Sequence, residues 1–126
     1  MIIETYNPEY HIDQLKEWFI QWEIHHSAFE TLPTTGLIID GICAIFMYET
    51  NSELCLIEHF ISNRNCKAEA RLKGLDLISD AMISFAKSKG YKKMCLTTRH
   101  EKVIERCLIR GFKLSKHKYY SLNRSI

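Results

Sequence analysis

The stretch that most constrains this chain runs from Leu54 to Lys89. It opens on Leu-Cys-Leu-Ile-Glu-His-Phe-Ile-Ser-Asn (Leu54–Asn63), apolar and aromatic apart from a few polar positions, with Glu58 as its single carboxylate. That composition predicts a buried strand. A polar loop follows, Arg64–Ala70, and then Leu75, Ile78, Met82 and Phe85 recur at spacings of three and four, the apolar stripe of a helix packed on a sheet. A strand feeding a loop that opens onto a helix N-terminus is a place where anions bind, because free backbone N–H groups and the helix dipole point the same way. A carboxylate embedded in that strand is a candidate base. Together these features imply a transferase that uses a phosphate-bearing cofactor.

At 126 residues the chain makes one domain, spanning 1–126, large enough to bury a core without staples. No apolar run approaches the ~18 residues a membrane-spanning helix needs. The start, Met1-Ile2-Ile3-Glu4, lacks the basic and long apolar segments of a signal peptide. Cysteines stand at 43, 55, 66, 95 and 107, odd in number and without Cys-x-x-Cys spacing. They read as small core residues in a reducing, cytoplasmic compartment, and no metal site is expected.

The net charge of +2 conceals a division. Residues 1–63 hold one basic residue, Lys16, against ten acids, while residues 64–126 hold sixteen basic residues against five acids. One reading is solvated helix faces that sort by half. Another is a basic half facing an anionic ligand and an acidic half facing a cationic one. A nucleic-acid surface is the weaker third, since the basic residues lack the interleaved aromatics of a single-strand platform.

In chain order, Met1–Tyr6 alternates as a first strand. Asn7-Pro8 then supplies a helix N-cap and a proline at the first helical position. Ile12, Leu15, Phe19 and Trp22 predict a helix through about residue 24. His25-His26 close it, suited to the dipole or to a substrate contact. Ser27–Thr35 reads as a loop or a short helical turn. Gly36–Asp40 and Ile42–Glu49 form a hairpin across Asp40-Gly41, a two-residue turn signal, and residues 53–62 add a third antiparallel strand. After the long helix come Gly90-Tyr91 as a cap, a short strand Lys93–Thr97, a helix Glu101–Arg110 closed by Gly111-Phe112, and one or two strands with Tyr119-Tyr120-Ser-Leu the most strand-like. The expected class is α+β: a mixed, mainly antiparallel sheet with helices on both faces, in the order β-α-β-β-β-α-β-α-β(β).

With Ile57-Glu58-His-Phe-Ile-Ser-Asn63 as its fourth strand, Arg71-Leu-Lys-Gly74 in its loop, Ala86-Lys-Ser-Lys-Gly90-Tyr91, Leu96-Thr-Thr98 and Ile109-Arg-Gly111-Phe112, the chain resembles the GNAT superfamily of N-acetyltransferases, and specifically the short GNAT-like proteins of tailed bacteriophages. The resemblance covers nearly the whole chain. It implies acetyl-CoA or another acyl-CoA in a V-shaped gap between parallel strands four and five, splayed at their C-terminal ends. The pantetheine arm would pair with backbone at Phe60, Ile61 and Ser62, and a backbone N–H there would polarise the thioester carbonyl. The pyrophosphate would sit on the third helix, with Lys67, Arg71, Lys73 and Gly74 as further cofactor contacts. Glu58 falls where the family places the base that takes the proton of an attacking amine, without an acyl-enzyme.

The family's loop, Arg/Gln-x-x-Gly-x-Gly/Ala, is matched cleanly in neither of two registers, a degeneracy that argues for loss of cofactor binding. Matching Arg71 and Gly74 places Asp76 at the second small position, where an acid repels pyrophosphate. Counting from the end of the strand puts Cys66, Glu69 and Arg71 on the pattern, with no glycine at all. Cys107 stands where the family has a general-acid tyrosine, and His100 roughly where an asparagine often follows the fifth strand; a core thiol and a surface histidine are the other readings. Two functions remain open: an acyl-CoA-dependent N-acyltransferase acting on an amine-bearing acceptor, and a non-catalytic module of the same fold that contacts a host or virion protein. A phage-encoded chain would work in the host cytoplasm, and a strand-like C-terminus would permit a homodimer.

Overall fold

The computed structural model describes the backbone of residues 1–126 and every side chain except those of His26 and Ser27. Nine elements follow in the order β1 (Ile3–Thr5), α1 (Pro8–Gln21), α2 (His26–Glu30), β2 (Gly36–Ile39), β3 (Cys43–Tyr48), β4 (Leu54–Ser62), α3 (Ala68–Ser88), β5 (Lys93–Cys95) and α4 (Glu101–Ile109). The strands line up in sequence order, β1 to β5. The first four are antiparallel neighbours, and β5 joins β4 in parallel.

Local chemistry sets the helix ends. Asn7 accepts from the Glu9 N–H at 3.1 Å and Pro8 occupies the first turn of α1, which buries His11, Leu15, Trp18 and Phe19. The helix stops at Gln21 rather than near residue 24, and His25 lies beyond it, before α2. His26, the other half of that expected pair, lies outside the described side chains. At the end of α3, Gly90 adopts φ +90°, and Tyr91 N–H reaches back to Ala86 O at 3.2 Å. That bond closes a Schellman cap, which needs a left-handed residue.

Two cores sandwich the sheet. On one face Leu37, Ile39, Cys43, Ile45, Met47, Cys55 and Ile57 pack against Ile78, Met82 and Ala86 of α3. On the other, Ile38, Ala44, Phe46 and Ile61 pack against Leu15, Trp18 and Phe19 of α1. Burying side chains such as Ile78 and Met82 contributes roughly 1.5–3 kcal/mol each.

Three details depart from expectation. The β2–β3 turn holds three residues, because Ile39 pairs with Cys43. Strand β5 ends at Cys95 instead of Thr97. Residues 113–126 form no strand and are exposed throughout. Tyr119, Tyr120 and Leu122 favour strands, but that preference is realised only against a neighbouring strand and a covered face, and this segment lies on neither. Among the described residues no helix is long and apolar enough to cross a membrane.

Candidate active site

The seam between β4 and β5 is paired at one end only. Leu54, Cys55 and Leu56 match Lys93, Met94 and Cys95, and among the described residues no pairing continues beyond them. From Ile57 to Ser62, β4 is therefore held by β3 alone. Asn63 N–H donates to Ile42 O at 2.7 Å, toward β3. The Ser62 carbonyl, in the same peptide plane, points the other way, where Trp22 Nε1 donates to it at 2.7 Å. By strand alternation the Phe60 N–H points outward as well. Of the three expected backbone contacts, Phe60 offers a free outer edge. Ile61 turns its side chain under α1, and Ser62 already has Trp22 on its carbonyl.

At the mouth of this wedge the loop into α3 is pinned. Gln21 Oε1 accepts from Arg64 N–H at 2.8 Å, and Asn63 Oδ1 accepts from Asn65 N–H at 3.0 Å. Arg71, expected on phosphate, instead donates through Nη1 to Arg64 O at 2.8 Å and Cys66 O at 3.2 Å, lacing the loop shut. Lys67 caps the helix with no side-chain hydrogen bond, and the first N–H to find a helical carbonyl is that of Arg71. The N–H groups of Ala68, Glu69 and Ala70 are left as donors.

With α3 starting at Ala68, a third register of the small-residue pattern runs over Asn65-Cys66-Lys67-Ala68-Glu69-Ala70, one residue from that counted off the strand, with alanines at its two small positions. Counting alone could not find it, because it depends on where the helix starts. Lys67 is exposed at this mouth, and Lys73 is exposed further along the helix. Gly74 is not at the mouth at all. It is buried, and a Cβ there would lie 2.8 Å from Ile42 Cγ2 and 3.1 Å from Cys43 Sγ. It is glycine so that α3 can lie close on the sheet.

Glu58 sits at the start of the unpaired segment. The register shifts between Ile45↔Phe60 and Phe46↔Glu58, so His59 is an extra residue, a β-bulge with φ +48°. The bulge carries the His59 ring onto Phe19, 5.4 Å between centroids, and puts Nε2 3.3 Å from Glu58 Oε1. Phe19 in turn meets Phe29 of α2 edge-on at 5.4 Å. Tyr48 donates its hydroxyl to Thr31 O, and its pKa is raised by burial and by the Glu58 charge. Burial lowers the pKa of His59, opposed by the Glu58 charge. The Glu58 side chain remains 40% exposed. The result is a half-open patch of one carboxylate, one imidazole and aromatic walls beside the free edge of β4. The sequence reading passed over His59; two adjacent polar residues interrupting an apolar strand were the available sign of a bulge.

The far wall is structural. Asp76, feared as a repulsive neighbour of phosphate, lies in the third turn of α3. There Arg106 Nε and Arg110 Nη2 hold it at 3.2 and 3.3 Å, and Arg110 Nε also holds Asp80 at 2.7 Å. These pairs clamp α4 onto α3. Cys107 is buried beside them, its thiol pKa raised by burial against the pull of Arg106 and Arg110, which makes it a core residue. His100 is exposed ahead of α4 without capping it through its side chain. A cavity of about 10 Å³, at the lower limit for one water, lies between Phe60, Met94 and Cys107. All five cysteines are free thiols, and among the described residues no cluster of metal-ligating side chains occurs.

No family model matches the sequence, and no curated protein matches it. Solved structures do match the fold. An inferred acetyltransferase of Agrobacterium tumefaciens strain C58 superposes with a TM-score of 0.68 at 12% identity, over 98% of this chain and 100% of that one. The ribosomal-protein-alanine N-acetyltransferase of Brucella melitensis biovar Abortus 2308 gives 0.64 at 10% identity, over 98% and 99%. The aminoglycoside N-acetyltransferase AAC(6')-Iy, crystallised with CoA, gives 0.59 at 14% identity, over 98% and 100%. At such identities the likeness concerns architecture. With its sheet parted between β4 and β5, its bulged fourth strand and helices on both faces, the chain has the fold of the GNAT acetyltransferases.

Proposed function

We propose that this chain is an acyl-CoA-dependent N-acyltransferase, with acetyl-CoA as donor and a cationic amine as acceptor. The observation that carries the reading is the half-paired β4, whose free edge runs from Glu58 to an uncapped helix N-terminus. The donor set there fits a nucleotide-linked thioester. The N–H groups of Ala68, Glu69 and Ala70 suit a pyrophosphate, small side chains at 68 and 70 let it approach, and Lys67 adds charge. The outward Phe60 N–H suits an amide or thioester carbonyl. Acyl-CoA, when bound, supplies an activated carbonyl and a thiolate leaving group. The chain's own share is to hold that carbonyl on the Phe60 N–H and to take the proton of the attacking amine on the Glu58 carboxylate, which is still open to solvent.

The acidic first half of the chain supplies α1, α2, β3 and Glu58, the walls on the acceptor side, which favours a positively charged amine. The neighbours named for ribosomal-protein alanine and for aminoglycosides are transferases to amines, in line with this reading. The alternative, a non-catalytic module, drew on a degenerate loop, and the Asn65–Ala70 register weakens that ground.

Calorimetric titration with CoA and acetyl-CoA, followed by mass spectrometry of products from N-terminal peptides, polyamines and amino sugars, tests the proposal. Saturable heat from both ligands and a mass increase of one acetyl group on a cationic amine are expected. Absence of both returns the chain to the module reading.

A further inference from the structure

Resting on that reading, we propose that His59 is a relay and positioning residue for Glu58, carrying the amine's proton out of the site. The bulge is the first ground. A left-handed φ is uncommon outside glycine, and histidine, asparagine and aspartate are among the side chains that tolerate it best. Backbone conformations of this kind persist where the surrounding structure holds them, and they gather at functional sites. Here the φ of +48° inserts a residue opposite β3 and so brings two consecutive side chains, 58 and 59, onto the α1 side of the sheet. In a regular strand they would face opposite ways.

The second ground is the arrangement that results. Nε2 lies 3.3 Å from Glu58 Oε1, Phe19 of α1 flanks the ring, and Tyr48 of β3 is the other titratable side chain on Glu58. Every buried side-chain nitrogen and oxygen among the described residues has a partner. Nδ1 has no partner among the described residues, so solvent reaches it. Burial holds the ring neutral near pH 7, with a lone pair to offer.

The proton balance closes. The acceptor's ammonium first gives one proton to the Glu58 carboxylate and so becomes the free amine; as its nitrogen then bonds to the acyl carbon and the carbon–sulfur bond breaks, the second N–H proton reaches the departing thiolate through solvent. Glu58 gives a proton to His59 Nε2, and the imidazolium releases its Nδ1 proton to water. Between turnovers the half-exposed carboxylate and Nδ1 exchange with solvent and restore the starting tautomer.

The test is His59→Asn, which keeps a side chain suited to positive φ and cannot carry a proton, with His59→Gly as a second variant that relieves the backbone. Both should melt close to wild type and bind CoA as well. Each should lose about tenfold to a hundredfold in kcat with little change in KM for acetyl-CoA, a loss at or below the low end for acid–base groups. Added imidazole buffer at fixed pH should raise the variants' rate, and raise neither the wild type nor Glu58→Gln. A wild-type kcat in both variants, or a rate indifferent to imidazole, overturns the relay while leaving acyl transfer standing. Wild type that binds CoA and acylates no amine overturns both.

Discussion

On the face that α3 covers, side chains from β2, β3 and β4 are closed over by Ile78, Met82 and Ala86, and from Leu37 to Ile57 the cluster is buried. On the opposite face α1 seals Ile38, Ala44, Phe46 and Ile61, but the seal stops short of Tyr48, Glu58 and His59, each partly open to solvent. The same strands, β3 and β4, build both surfaces. What differs is that β4 is regular where it faces α3 and bulged where it faces the end of α1. Both faces are therefore packed cores, and polar side chains of β3 and β4 are left open only where β4 bulges past the end of α1, beside its unpaired edge. A ligand can then replace the missing strand without disturbing the core.

The comparison breaks most sharply at Glu58. On the open face, Glu58→Gln preserves shape and should leave melting and CoA affinity nearly unchanged. Transfer should slow by roughly 10²-fold, about 2.7 kcal/mol in the barrier. Steady-state rates beside a thermal melt check it, and a variant that loses stability but no rate would make the open face structural too.

Arg71 sits between the two faces, at the mouth of the wedge. Because it holds the carbonyls of Arg64 and Cys66 rather than projecting outward, Arg71→Ala should loosen the loop and weaken CoA binding by about tenfold, ~1.4 kcal/mol. The salt dependence of binding should match wild type, since no phosphate contact is lost. Calorimetry at two ionic strengths separates this from a direct contact, for which the dependence would flatten.

Gly74 probes the closed face and gives the smallest change. By helix propensity alone alanine would stabilise by about 1 kcal/mol. Yet its Cβ would meet a methyl of Ile42 and the sulfur of the fully buried Cys43, and overpacking costs about 1–3 kcal/mol. Gly74→Ala should therefore lower the melting temperature by a few degrees, with transfer per folded molecule unchanged. A rise in melting temperature would mean that the closed face has slack.

Much of this architecture was legible from local signals. Asn7-Pro8 fixed the start of α1, Gly90-Tyr91 the end of α3, and the three-and-four spacing of Ile78 and Met82 its buried face. The apolar run from Leu54 marked the central strand, because caps and periodicity are written in residues a few positions apart. Of the candidate site, only Glu58 within the strand and a helix opening nearby were legible. Three assignments needed partners distant in sequence. Arg71 turns inward because Arg64 and Cys66 present carbonyls. Gly74 answers to Ile42 and Cys43, not to phosphate. Asp76 belongs to Arg106 and Arg110, thirty and thirty-four residues away.

The C-terminal segment shows the converse. Its strand-forming Tyr119 and Tyr120 remain exposed, since β-propensity acts only through a neighbour. The sequence alone determined the order of the elements from β1 to α4 and roughly where most of them end, because hydrogen bonds within four residues and one-sided burial decide both. Only the tertiary structure decided the bulge at His59, the start of α3 at Ala68, and how few residues of β5 pair with β4. Each is a question of which strand or helix arrives alongside, and a chain's local pattern does not say what will be packed against it.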